Sequence, residues 1–308
     1  MRFFRRRRAI VLEPMQAIGS IEHYYHFLWG YLLPALDIVL TRRLTGPIWM
    51  RSCGPVMTPK LLELARALRL DLRIMDDAAP PGDAEVITLP ALDARIICAP
   101  RGPIDDPAHP FHHRVSTLSR ERPDLLETLC DPAAIAALPA ELRALRDRLL
   151  PPFLAAARAP APAPFLVIRR APQPGYYDRD GPAKAKGYGT GRRSLQGIDA
   201  AVETLRAQGY PAQAYVCDAY SFADQTAAFA RARGIAMVRG AEAGTLIWCR
   251  PDTPVLILEP TSMAASPPHA TLAAAARLRL TVIPADTGAP VLDPDTVAAA
   301  WGPAPAAG

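Results

Sequence analysis

The strongest constraint on this chain is the alternation of short apolar runs with amphipathic stretches in its second half. Apolar runs at 165–168, 212–216, 235–238, 254–259 and 281–284 are each followed by a stretch of helical character: 194–208, 221–233, 240–248, 269–277 and 295–301. Runs of this length, apolar on both faces, predict strands buried on both sides, and helical crossovers between them predict parallel pairing. The repeated unit therefore predicts a parallel, Rossmann-like sheet. The first half repeats the theme more loosely. It has strand candidates at 9–12, 47–50, 72–75, 85–89 and 95–98, a helix at 59–68, and an apolar, aromatic helix over 20–36 with Ser20 as its N-cap. No fixed-period repeat occurs.

Residues 99–124 are rich in Pro, His and Asp and read as irregular, and 139–158 as an amphipathic helix. The Ala/Pro run at 159–164 has the composition of a semi-rigid polyproline linker. It divides the chain into an N-terminal domain, 1–158, and a C-terminal domain, 165–308. A length of 308 residues accommodates both.

The net charge of +5 comes entirely from Arg2, Arg5, Arg6, Arg7 and Arg8; residues 9–308 carry 30 basic and 30 acidic side chains. A neutral body argues against a broad nucleic-acid-binding face, and no nucleic-acid partner is expected. The tip Phe3-Phe4-Arg5-Arg6-Arg7-Arg8 suits peripheral contact with anionic lipid as well as it suits a solvated tail. Five scattered cysteines without a C-x-x-C pair fit a reduced compartment. No apolar run reaches transmembrane length, and the stretch after the basic tip is shorter than a signal-peptide core. These features together predict a cytoplasmic protein.

In a parallel sheet, ligands bind beyond the carboxyl ends of the strands. That rule selects Arg169 and Arg170 after the first strand of the second half. It selects Cys217, Asp218 and the Ser221–Gln225 helix start after the next strand, then Arg239 through Thr245, and finally Glu259 to Ser262. Helix starts at Ser221 and near Ala243 offer backbone N–H groups to an anion. Arg169, Arg192 or Arg193 can supply bidentate contacts to a diphosphate. Gly187-x-Gly189-x-Gly191 lacks the spacing of a nucleotide phosphate loop and reads as a flexible loop. His109-x-x-His112-His113 lacks companion ligands at metal spacing and reads as a polar loop, so no metal is expected.

The order of these segments resembles the family 61 glycosyltransferases, which include capsule and lipopolysaccharide biosynthesis proteins. The resemblance rests on Arg169-Arg170, Arg193-Ser194-Leu195-Gln196, Tyr220-Ser221-Phe222-Ala223-Asp224-Gln225, Gly240-Ala241-Glu242-Ala243-Gly244-Thr245 and a strand ending in Glu259-Pro260. It spans about residues 165–260; Tyr25-His26-Phe27-Leu28 with Pro34 extends it loosely into the first half. Arg239 stands where many members have His, and Gln196 where they have Asn.

The resemblance implies a GT-B-like α/β architecture, two Rossmann-like domains with parallel sheets facing across a cleft. It implies inverting transfer from a nucleotide-sugar donor to a glycan or lipid-linked glycan acceptor, without a metal or other cofactor. Donor contacts would fall to Arg169, Arg193, Ser221, Gln225, Gly240, Ala241, Glu242 and Glu259. His23 and His26 would lie on the acceptor side, and the general base would be His26, His23 or Glu242. A catalytically inactive nucleotide- or glycan-binding protein and a nucleotide-sugar epimerase of the same architecture are the competing readings.

Overall fold

The computed structural model describes residues 8–15, 19–76, 78–98, 124, 129, 131–172, 194–260, 268–285 and 289–305. They form an α/β protein with two all-parallel sheets. In the first half the elements are β1 (Ile10–Glu13), α1 (Tyr24–Phe27), a π-turn (Leu28–Leu32), α2 (Leu33–Thr41), β2 (Ile48–Met50), α3 (Gly54–Ala67), β3 (Leu72–Ile74), β4 (Glu85–Thr88), α4 (Leu92–Cys98) and α5 (Pro132–Ala156). The second half runs β5 (Phe165–Arg169), α6 (Ile198–Ala207), β6 (Ala212–Val216), α7 (Phe222–Arg231), β7 (Gly234–Val238), a 3₁₀ helix (Ala241–Trp248), β8 (Pro254–Pro260), α8 (Pro268–Ala276), β9 (Arg279–Ala285) and α9 (Pro294–Trp301).

The first sheet has the order β3-β2-β1-β4 and the second β6-β5-β7-β8-β9. In both, the first strand of the sheet lies inside it, and the chain adds strands on one side before crossing to the other. Val11 therefore pairs with Trp49 on one flank and Val86 on the other, and Val167 with Ala214 and Ala236. Every residue of β7 and β8 is buried, as expected of central parallel strands covered by helices. The edge strand β9 is mostly exposed and carries Pro284, which blunts further pairing.

Four expectations are corrected by the structure. The helix read at 59–68 begins at Gly54, so Pro59 lies inside it rather than at its start. The run at 95–98 is not a strand but part of α4. Ala91, Ala94 and Ile97 recur every third residue and bury together against Leu129. A short apolar run does not by itself distinguish a buried strand from a helix, and here the three-residue spacing wins. The aromatic helix starts at Tyr24 with His23 as N-cap. The Ser20 hydroxyl instead accepts the Glu22 N–H (3.2 Å) in the preceding turn. The amphipathic helix before the linker begins at Pro132, where the Asp131 carboxylate accepts the Ala134 N–H (2.7 Å). Asp followed by Pro at the first helical position is a proper start signal, and Leu138, Leu142, Leu145, Leu149 and Phe153 then keep one buried stripe.

The π-turn has a cause in the sequence. Pro34 has no N–H to give the Gly30 carbonyl four residues back, and its ring would crowd that carbonyl. The turn widens, and the Leu33 N–H bonds the Leu28 carbonyl five residues back.

One hydrophobic cluster runs from Leu12 in the first sheet through α5 to Ile257 and Ala276 beneath the second. Phe153 of α5 meets the rings of Phe222 and Trp248 edge-on, each at 5.3 Å. The Trp29 indole donates to the Gly244 carbonyl (3.2 Å), and Tyr24 Oη donates to Gln225 Oε1 (2.8 Å). The α1/π-turn segment is thus packed against the second half. The chain at 158–163 is tied down as well: Arg158 and Ala159 N–H groups donate to Asp224 (2.6 and 2.7 Å) and Ala163 N–H to Gln213 (2.7 Å). Among the described residues no helix is long and apolar enough to cross a membrane.

Candidate functional site

An interior first strand creates a topological switch point, a crevice at the carboxyl ends of the strands where successive connections diverge. In the first sheet this point lies beyond β1 and β4. The chain leaving β1 enters α1, and the chain leaving β4 enters α4. Each contributes one polar side chain to a buried pair. His26 of α1 and Asp93 in the first turn of α4 meet through Nδ1 and Oδ2 at 2.7 Å. Only 7% of His26 and 3% of Asp93 is exposed. An ionised carboxylate only accepts, so Nδ1 carries a proton; in the neutral ring Nε2 then holds the lone pair. Nδ1 is the one His26 side-chain atom with a hydrogen bond among the described residues. The Tyr25 ring stands perpendicular to the imidazole at 5.4 Å, and its hydroxyl donates to the Asp93 carbonyl (3.4 Å). A base oriented by a buried carboxylate, with its second nitrogen presented as an acceptor, can take a proton from a substrate hydroxyl. His23, the N-cap residue, lies with its ring 6.4 Å from that of His26.

At the second switch point β5 ends in Arg169 and Arg170, and β7 leads into Arg239 and the 3₁₀ helix. The Arg170 guanidinium donates through Nε to Glu242 Oε1 (2.9 Å), while Glu242 Oε2 is buried without a hydrogen-bond partner among the described residues. Oε2 packs against the bare α-carbon of Gly240, and a Cβ there would make it shift. A small cavity of about 20 Å³, enough for one water, is lined by Tyr24, Arg170, Ala171, Cys217, Asp218, Ala241 and Glu242. It joins α1 of the first half to the strand ends of the second. Beside it an open depression of about 470 Å³ lies between the end of β5 and the start of α6, bordered by Arg169, Arg170, Ser194, Gln196 and the α6 N-terminus. Gly197 caps α6 at φ +69 with no side-chain hydrogen bond to the first turn, and Asp199 within that turn pairs with Arg169. A third depression, of about 680 Å³, lies at the carboxyl ends of β2 and β3, where Glu22, Ser52, Thr58 and Asp76 line it.

Other expected site residues have roles inside the fold. Ser221 caps α7, accepting the Asp224 N–H (3.1 Å) and donating to Asp224 Oδ2 (2.6 Å). Burial alone would raise the Asp224 carboxyl, but the hydrogen bonds from Ser221, Ala159 and Arg158 outweigh it and lower the pKa. Gln225 is fully buried, accepting from Tyr24 and donating through Nε2 to the Tyr220 carbonyl (3.1 Å). Glu259 forms a buried ion pair with Arg239. Desolvation pulls the Arg239 pKa down and the Glu259 charge opposes it. Next to them His269 of α8 is 1% exposed, with neither ring nitrogen hydrogen-bonded among the described residues. Burial and the Arg239 charge push its pKa down to about 4.

Arg192, Arg193, the Gly187–Gly191 loop, the His109/His112/His113 group, Thr261 and Ser262 and the tip Phe3 to Arg7 lie outside the described residues. Arg8 is described, and its Nε donates to the Asp83 carbonyl (2.9 Å). Among the described residues no group of three or more His, Cys, Asp or Glu side chains could hold a metal ion.

Sequence reasoning missed Asp93 and Tyr24. Asp93 lay just before a run misread as a strand, and nothing local tied it to a histidine 67 residues away. Its signal was an acidic residue at the start of a helix, visible only once 92–98 is read as one. No protein-family model matches the chain, and no curated protein matches it.

Proposed function

We propose that this chain is an inverting, metal-independent glycosyltransferase, moving a sugar from a nucleotide-sugar donor to a hydroxyl of a glycan or lipid-linked glycan. In this reading the halves 1–158 and 165–308 are GT-B-like Rossmann domains facing across a cleft, the first serving the acceptor and the second the donor. The protein works in the cytoplasm, with the arginine-rich tip placing it against anionic lipid. The reading follows the likeness of residues 165–260 to family 61 glycosyltransferases, and its strongest structural support is the His26–Asp93 pair at the first switch point.

Inversion is a single in-line displacement at the anomeric carbon. The acceptor oxygen forms the new glycosidic bond as the bond to the diphosphate breaks, and the acceptor proton goes to a base. His26 Nε2 takes that proton, and Asp93 holds the resulting imidazolium and fixes its tautomer beforehand. The leaving diphosphate gains negative charge, which requires cations and N–H donors already in place. Arg169 and the N-terminus of α6 supply them in this reading, and Arg193 is the further cation that the family likeness adds. For the phosphate to bind, Arg169 exchanges Asp199 for the ligand. Glu242, whose Oε2 has no hydrogen-bond partner among the described residues, accepts a donor hydroxyl in the same scheme.

Turnover tests the reading. The full chain is incubated with a panel of nucleoside diphosphate sugars, with and without glycan acceptors, in the presence of a chelator. Release of nucleoside diphosphate, acceptor-dependent and with inverted anomeric configuration in the product, supports it. Thermal stabilisation by donors without any release, or isomerisation of the donor without acceptor, replaces it with a binding protein or an epimerase.

A further inference from the structure

We propose that Gly30 is a positioning residue for the His26 base, because the space of its missing side chain is where the Asp93 carboxylate sits. The inference builds on the reading of His26 as the base.

Gly30 lies one turn beyond His26, so the two occupy neighbouring positions on one face of the helical segment. A Cβ at Gly30 would stand 2.9 Å from Asp93 Cγ, 3.0 Å from Oδ2 and 3.1 Å from Oδ1. All three carboxyl atoms thus pack against a bare α-carbon, and Oδ2 reaches Nδ1 of His26 from there. The contact is with the movable end of a side chain rather than with backbone. An added methyl would therefore push the carboxylate back by a few tenths of an ångström, off its place at Nδ1, without breaking the fold. The π-turn belongs to the same device: Gly30 lies within it, next to Pro34, which widens it.

A second glycine bounds the imidazole. A Cβ at Gly19 would fall on His26 Nε2, Cδ2 and Cε1 at nearly equal separations. A point in the ring plane along the Nε2 lone pair would be clearly farther from the two carbons than from the nitrogen. Equal separations place it over the ring face instead. The Gly19 backbone therefore lies flat on that face, and the in-plane direction from Nε2 is not the one it blocks. Asp93 at Nδ1, Gly19 on the face and the perpendicular Tyr25 ring hold the imidazole in one orientation. Positioning of this kind sets catalytic geometry without touching the substrate.

The test is long-range ¹H–¹⁵N correlation on histidine-labelled full-length protein, in wild type, Gly30→Ala, Asp93→Ala and the double variant, with kcat and donor KM measured alongside. Wild type is expected to show His26 protonated on Nδ1 as its dominant neutral form. Gly30→Ala weakens that dominance, Asp93→Ala abolishes it, and the double variant is no different from Asp93→Ala. The same order follows in kcat: lowered in Gly30→Ala, at least tenfold down in Asp93→Ala, no lower in the double, with donor KM unchanged. An unchanged tautomer in Gly30→Ala, or losses that add in the double variant, overturns the proposal. Should Gly30→Ala fail to fold, the double variant must fold, because the crowding carboxylate is gone; failure of both also overturns it. If the tautomer shifts as stated while His26→Ala leaves sugar transfer intact, Gly30 still positions the pair and the assignment of His26 as base falls.

Discussion

Each half of the molecule buries a pair of opposite polar character at the carboxyl ends of its strands, and the two are built for different ends. Arg239 and Glu259 pair at the ends of β7 and β8, with Arg239 4% and Glu259 5% exposed. His26 and Asp93 are buried almost as deeply, but their contact uses Nδ1 alone and leaves the second nitrogen for chemistry. Desolvation of two charges is costly and is offset only by close pairing, so the fold depends on both members of the first pair staying together. Depth of burial does not separate the two pairs; a ring nitrogen of His26 without a hydrogen bond among the described residues does.

The contrast breaks most visibly at the structural pair. Glu259→Ala leaves Arg239 buried and uncompensated, and is expected to cost about 3–5 kcal/mol, read by urea unfolding. A loss below about 1 kcal/mol, typical of surface pairs, would remove the distinction.

His269 sharpens the same region through pH. Its pKa is about 4 in the fold against an ordinary value of 6.5. Between those values the unfolded chain binds a proton that the native chain refuses. The stabilisation is therefore complete above pH 6.5 and is lost progressively as pH falls towards 4. By linkage the loss is roughly 3 kcal/mol. His269→Leu should flatten the dependence of unfolding free energy over that window by one proton, with little change above it. An unaltered slope would show that the imidazole is not held neutral.

The smallest effect is expected where the halves are joined. Tyr24→Phe leaves the Gln225 carbonyl oxygen buried without its donor, for a cost of about 1–3 kcal/mol, read by thermal and urea unfolding. Because Tyr24 is two residues from His26, the variant also shows whether the join and the dyad act separately: kcat should fall far less than in His26→Ala.

The second half was the more legible in the sequence, for a physical reason. Strands such as β7 and β8 are buried on both faces, so they appear as unbroken apolar runs, and the helix start at Ser221 is satisfied by a local hydrogen bond that a short motif reveals. Arg169 and Arg170 were placed at a strand end by the same logic. The first half was harder. Its strands are three or four residues long, its principal helix is interrupted by the π-turn, and α4 is a seven-residue helix with the composition of a strand. The His26–Asp93 contact is long-range and depends on two helices meeting at a crevice, which periodicity does not encode. Gln225 and Glu259 stand in motif-like positions that point to a ligand role, and the structure shows each of them also bonded to another buried group.

The central claim is that His26 is the base in a sugar transfer. Its most direct measurement is the pair of kcat and donor affinity in His26→Ala, with wild type and Glu242→Gln alongside. The account predicts a fall in kcat of about 10²–10⁴-fold in His26→Ala, with donor affinity within about twofold and the fold intact; Glu242→Gln weakens donor binding more than it slows the chemical step. An undiminished kcat in His26→Ala with acceptor-dependent transfer preserved would contradict it.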